Sequence, residues 1–255
     1  MLNLPIIIAI TGKGGVGKTI ITTLMTKALI QHYDYKLLLI DADPTHPHLS
    51  KMVKNVPQKS LEQVRSEVIN RTLKKEKTIK KLAENIDFEV YNAISENKDF
   101  SLFSIGQPEG PGCFCPSNAL LKKVLESISK DFEIVLIDCE AGLEQINRMV
   151  IEKIDILLIV VDISLRSIET ALSIKRSADK FTKYRKLGII LNKVTGDVSK
   201  ILDKLNEHEL PLLAKVSDDK LVREFDLEGK PIIDLPASSL SFQEIKNLII
   251  YLLRK

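Results

Sequence analysis

Short apolar runs punctuate the chain at residues 6–10, 36–40, 88–94, 133–137, 154–161, 187–191 and 212–216, each bounded by polar or turn-forming residues. Stretches such as "LLLID", "IVLID" and "ILLIVVD" are continuously apolar, not alternating. Strands covered on both faces by helices have that form, whereas half-exposed strands alternate. Between the runs lie segments of helical period. Ile21, Leu24, Met25, Ala28 and Leu29 share one face, and Leu120, Leu121, Val124, Leu125 and Ile128 share another. Strand followed by helix, repeated, predicts an α/β fold: a doubly wound, mostly parallel sheet flanked by helices, with right-handed crossovers. The final segment, "SFQEIKNLIIYLLRK", places Ile245, Leu248, Ile249, Leu252 and Leu253 along one side of a last helix. Residues 50–85 break the pattern: they are rich in Lys and Glu with weak apolar periodicity, and read as a helical, mobile insertion or as ordinary surface helices.

Composition narrows this further. With 255 residues, 44% hydrophobic and 28% charged, the chain can bury its core as a single domain spanning 1–255. The net charge of +3 comes from 37 basic and 34 acidic residues that are dispersed, so nucleic acid is not an expected partner. The N-terminal "MLNLPIIIAITGKGG" has no basic leader and no small-residue cleavage site. No apolar run approaches the roughly 20 residues that span a bilayer. The expectation is a cytoplasmic protein without a membrane partner, in which cysteines stay reduced and serve metals or catalysis more often than disulfides.

The stretch "AITGKGGVGKT" follows the first strand and opens the first helix. Its glycines, Gly12, Gly14, Gly15 and Gly17, let the backbone curl so that N–H groups face phosphate oxygens beside the positive end of a helix. In this G-x-x-x-x-G-K-T pattern Lys18 would meet the β and γ phosphates and the Thr19 hydroxyl would ligate Mg²⁺, with Val16 and Ile20 completing the cradle. ATP or ADP and Mg²⁺ are the implied cofactors. Two further strands end in carboxylates, Asp41 and Asp43 in "LLLIDADPTH" and Asp138 in "IVLIDCEAG". An aspartate there can serve a phosphate site or simply cap the next helix.

Lys13, the extra lysine in "KGGVGKT", resembles the deviant phosphate loop of the family that includes the nitrogenase iron protein and the partitioning and division-site ATPases. The resemblance implies a P-loop fold and a homodimer in which Lys13 crosses to the partner's phosphates, doing the work of an arginine finger. It also implies that Asp43 orients the attacking water and meets Mg²⁺ through water, that Asp138 holds Mg²⁺ through water, and that Gly142 hinges a second switch. By the same resemblance Asn192, with Lys193, reads adenine, and Pro236 and Ala237 form the other wall of the base pocket.

A phosphate loop does not say what the nucleotide drives. Electron transfer needs two well-separated cysteines per chain, and Cys113 and Cys115 are too close for that. Cys139 follows Asp138 directly and reads as a small packed hydrophobe. A membrane-targeting tail needs a basic polar face that the last helix lacks, and DNA positioning lacks its basic patch. Metal delivery fits the loop "GPGCFCPSNALL", whose two thiols precede a helix N-terminus that favours thiolates. Extended C-x-C points both sulfurs the same way and offers two ligands to a soft metal; a two-fold axis would complete a Cys₄ site. His46 and His48 in "THPH" read as an auxiliary metal stop or a solvated loop.

Taken with the phosphate loop, "GCFCPSNALL", "LIDCEAGLEQINR" and "SLRSIETA" are similar to the CooC-type accessory ATPases that mature carbon monoxide dehydrogenase. That similarity implies a nucleotide-gated homodimeric metallochaperone with Ni²⁺ or Zn²⁺ held by Cys113 and Cys115 of both subunits. The client would be carbon monoxide dehydrogenase or another nickel enzyme, acetyl-CoA synthase. A positioning ATPase with incidental cysteines is the reading of a different class.

Overall fold

Strands that are apolar on both faces need cover from both sides. The computed structural model, which describes residues 5–43, 47–64, 66–67, 90–107, 128–141 and 153–254, supplies it. The elements run β1 (Ile6–Gly12), α1 (Lys18–His32), β2 (Leu37–Ala42), α2 (Leu49–Met52), β3 (Ser95–Glu96), β4 (Ser101–Ser104), β5 (Ile134–Ala141) and β6 (Lys153–Val161). There follow α3 (Leu165–Phe181), β7 (Lys183–Val194), α4 (Ser199–Glu207), β8 (Leu212–Ser217), α5 (Lys220–Leu227), a 3₁₀ turn (Ile232–Asp234) and α6 (Leu240–Leu253). The eight strands form one sheet in the order β3-β4-β2-β5-β1-β6-β7-β8. Pairing is parallel throughout except between β3 and β4.

The alternation of side chains along each strand splits the core in two. On β1, Ile8 and Ile10 join the layer containing α1 and α6, while Ala9 faces the layer containing α3 and α4. The stripe Ile21, Leu24, Met25, Ala28 and Leu29 of α1 is buried against the sheet, as the helical period requires. Ile245, Leu248, Ile249, Leu252 and Leu253 of α6 are buried in the same layer, so this helix spends its apolar face on the core. Among the described residues no helix is long and apolar enough to cross a membrane.

One predicted strand is misplaced. Within 88–94, residues 90–93 are helical, and the strand that pairs with β2 is Ser101–Ser104, with β3 antiparallel beside it. Only Leu102 and Phe103 of β4 are apolar, and they serve opposite core layers, so the strand is too short to register as an apolar run. What makes the hairpin is Asn97, whose Oδ1 accepts the backbone N–H groups of Asp99 and Phe100 at 2.8 and 2.9 Å. The start of the 50–85 segment packs down: Leu61 and Val64 are buried in the α3 and α4 layer. Residues 68–89 lie outside the described residues, as do 108–127, which take in most of the predicted helix over 120–128.

Candidate nucleotide-binding site

In an open parallel sheet the ligand crevice lies beyond the carboxyl ends of the strands where their order reverses. Here that point is β1 between β5 and β6, and the phosphate-loop sequence leaves the end of β1. Two glycines are demanded by geometry. A Cβ on Gly12 would meet the Val160 carbonyl oxygen at 2.2 Å, and Gly17 sits at φ +93° with Asn192 Nδ2 2.5 Å from where its Cβ would be. Gly17 is also the N-cap of α1, with no side-chain cap and no acidic residue in the first turn. The first N–H groups of α1 therefore face the loop without an intrinsic anion, the arrangement that suits a phosphate.

The lysines are differently engaged. Lys18 Nζ donates to the Lys13 carbonyl at 3.3 Å, and Lys193 Nζ donates to the Gly15 carbonyl at 2.9 Å. Asn192 Nδ2 donates to the Val16 carbonyl at 2.8 Å, so the end of β7 holds the loop from the side. The Lys13 ammonium has no hydrogen-bond or ion-pair partner among the described residues.

The carboxylates converge from neighbouring strands. Asp41 and Asp138 are in register on β2 and β5, and Ile10 of β1 is in register with Asp138. Asp138 is 2% exposed, with the Thr22 hydroxyl 3.1 Å from its Oδ1 and a further hydrogen bond from Thr19. Asp41 is fully buried; its Oδ1 accepts the Asp43 N–H at 3.3 Å, the Leu49 N–H also approaches the carboxylate, and Oδ2 meets no hydrogen-bond geometry among the described residues. Burial pushes the Asp41 carboxyl up to about 8, helped by the charge of Asp138. Burial likewise pushes Asp138 up to about 6, against hydrogen bonds from Thr19 and Thr22 and the charge of Lys18. Such crowded, under-compensated carboxyls beside a hydroxyl fit a divalent cation: Thr19 would ligate Mg²⁺ directly, and Asp43 and Asp138 would reach it through water. The cation would neutralise this charge and orient the phosphates.

The pH dependence follows in sign. Both acids hold protons above the ordinary 3.8, so the folded chain binds more protons than the unfolded one between that value and about 8. Their contribution to stability is present at low pH and is lost as pH rises through about 6 for Asp138 and about 8 for Asp41. The melting temperature of nucleotide-free protein should fall between about pH 4 and about pH 8, with the Asp138 part complete near pH 6, and Mg²⁺-ADP, which favours the ionised carboxylates, should flatten the fall. A free-protein profile that is flat or rises would refute the assignment.

A cavity of about 200 Å³ adjoins the loop, lined by Ile20, Leu24, Asn192, Val216, Ser217 and Asp219 among others. The sequence reading put the second wall of a base pocket at Pro236 and Ala237. Both are exposed and absent from this lining, because the chain has by then passed into the turn that leads to α6. The end of β8, which was not among the expected site residues, lines this cavity. Val216 and Ser217 stand at the carboxyl end of β8 as Asn192 and Lys193 stand at that of β7, the edge where such sheets bind ligands.

Cys139 is 1% exposed, its thiol pushed well up by burial, and is a packed side chain. His48 is exposed at the start of α2. Cys113, Cys115, Gly142 and His46 lie outside the described residues. Among the described residues no group of three or more His, Cys, Asp or Glu side chains is arranged to hold a metal ion.

A family model described as an AAA domain matches residues 5–189. The chain is 32% identical to an uncharacterised ATP-binding protein of Methanocaldococcus jannaschii, over 95% of this chain and 96% of that one. It is also 32% identical to the carbon monoxide dehydrogenase accessory protein CooC of Rhodospirillum rubrum, over 89% of each chain. Among solved structures, the cell division ATPase MinD of Pyrococcus furiosus superposes with a TM-score of 0.70 at 23% identity, covering 98% of each chain. A ParA family ATPase of Chlorobium tepidum superposes with a TM-score of 0.69 at 18% identity, covering 97% of this chain and 98% of that one. The two superpositions establish the fold: a mostly parallel sheet flanked by helices.

Proposed function

This chain belongs to the AAA domain family of P-loop ATP-binding proteins, and on that premise we propose that it is a homodimeric ATPase that delivers nickel to carbon monoxide dehydrogenase. The observation that carries the reading is the 32% identity to the carbon monoxide dehydrogenase accessory protein over 89% of each chain. The C-x-C pair in "GCFCP" supports it by supplying two soft ligands per subunit.

On this reading Lys18 balances charge on the phosphates in its own subunit, Lys13 of the partner subunit balances charge developing in the transition state, and Asp43 orients the attacking water. Asn192, Lys193 and the end of β8 hold the base. Nickel is cargo, carried between subunits on Cys113 and Cys115, and zinc competes for the same thiolates. Nucleotide state and metal affinity are coupled, so each must change the other's affinity by the same factor.

Reconstitution tests the function. Nickel-free carbon monoxide dehydrogenase should gain activity from limiting nickel faster with this protein and ATP together than with either alone. Equal rates in all arms would refute nickel delivery to this client. Acceleration of nickel-free acetyl-CoA synthase instead would reassign the client and keep the chemistry.

A further inference from the structure

The pocket wall formed by the end of β8 is held from behind by the C-terminal helix. Glu244 of α6 accepts twice from Ser217: the backbone N–H reaches Oε2 at 2.8 Å and the hydroxyl reaches Oε1 at 2.8 Å. Two residues on, Asp219 caps α5 through Oδ1, which accepts the Leu221 N–H at 2.9 Å. Its Oδ2 accepts from the Ser239 hydroxyl at 2.6 Å, the Ser241 N–H at 3.1 Å and the Ser241 hydroxyl at 3.1 Å. Ser239 is itself the N-cap of α6, and Ser239 and Ser241 are buried. Ser217, Asp218 and Asp219 therefore stand between two anchors on one helix.

That helix is itself fixed to the phosphate end. Its apolar face packs in the layer of α1, whose first residue is Lys18. Lys27 of α1 donates to the Ile233 carbonyl at 2.7 Å, tying α1 to the turn that precedes α6. A wall held by a two-oxygen carboxylate clamp cannot adapt freely to what enters the cavity.

We propose that Glu244 is a positioning residue that, with the bonds tying Asp219 to Ser239 and Ser241, fixes the Ser217–Asp219 wall of the cavity, so that α6 sets the affinity of the site for the base end of a nucleotide. The inference rests on the nucleotide reading of the site. Neither carboxylate lies at the phosphate loop, and their effect should reach ligands with a base and spare ligands without one.

Two probes separate these ends: ADP with Mg²⁺, and tripolyphosphate with Mg²⁺, which carries phosphates and no base. Glu244→Ala should weaken ADP by about tenfold, equivalent to about 1.4 kcal/mol, and leave tripolyphosphate within about twofold. Ser217→Ala, which removes one of the two bonds, should give a smaller loss of the same kind. Glu244→Gln, which can still accept the Ser217 N–H, should recover part of the ADP affinity. In Glu244→Ala the Ser217 amide should exchange hydrogen faster while the melting transition stays cooperative. ADP affinity unchanged in Glu244→Ala, or ADP and tripolyphosphate weakened equally, overturns the inference and leaves the nucleotide reading standing. Failure of the unaltered chain to bind ADP at all overturns both.

Discussion

Lys13→Ala is expected to lower ATP turnover by about a thousandfold, the scale of a trans-acting cation in phosphoryl transfer, while leaving the fold and ADP binding intact. The structure separates the two lysines of the loop. Lys18 stands at the start of α1 with its ammonium on the Lys13 carbonyl, inside its own loop. The Lys13 ammonium has no partner among the described residues. Removing a half-exposed, unengaged side chain should change stability by no more than about 0.5 kcal/mol. Its backbone carbonyl, which Lys18 uses, survives the substitution. The decisive measurement is complementation. On the proposed mechanism Asp43→Ala should also be inactive, because Asp43 is there the group that orients the attacking water. Mixed with Lys13→Ala, it should form heterodimers in which one site has Asp43 in cis and Lys13 in trans. Random mixing makes half of the dimers heterodimers with one competent site of two, so up to about a quarter of the unaltered rate should return. Two inactive variants that stay inactive together, under conditions where each binds ATP, would show that Lys13 does not act across an interface.

Much of this site is legible in the chain because its parts are contiguous or end strongly apolar runs. Gly12 to Thr19 are consecutive, and strand-loop-helix order is enough to locate them. Asp41 and Asp138 follow "LLLI" and "IVLI", and burial of those runs on both faces explains why the carboxyls meet at one edge of the sheet. The β8 side of the cavity was hidden for a reason of topology. Asn192 and Ser217 line one cavity only because β7 and β8 pair in parallel, with Val194 opposite Ser217, and no local pattern in either segment announces that pairing. The strand Ser101–Ser104 was hidden for a reason of length: two apolar residues and an Asn-led turn carry too little periodicity, whereas the neighbouring segment around Val90 looks more strand-like and is helical. Tertiary pairing won over local propensity in both places. Glu244 illustrates a third limit. Its spacing marks it as a polar position on an amphipathic helix, and only the fold shows that it faces Ser217.

Replacing Cys113 and Cys115 together by alanine is expected to abolish tightly bound metal. The reduced unaltered protein, loaded with Ni²⁺ or Zn²⁺, should hold about one ion per two chains, since a tetrahedral thiolate site needs four sulfurs and each chain supplies two from this loop. Cys139 cannot substitute: it is buried in the sheet, and burial raises its thiol well above the usual range, which opposes the thiolate that a metal requires. Loss should therefore be complete and not merely halved. Single substitutions are the sharper control. Cys113→Ala leaves two sulfurs per dimer, so affinity should fall by orders of magnitude while the double variant shows nothing further at micromolar metal. Measured without metal, ADP affinity should be unchanged in all three, because Lys18 and Thr19 lie on α1, Asp138 on β5 and Asn192 on β7, and none of them is a cysteine. A stoichiometry of one metal per chain would place the remaining ligands within the same subunit and remove the two-fold axis from the site. Metal retained by the double variant would remove the cysteines from it, and with them the chemistry that favours nickel delivery over a positioning role for this ATPase.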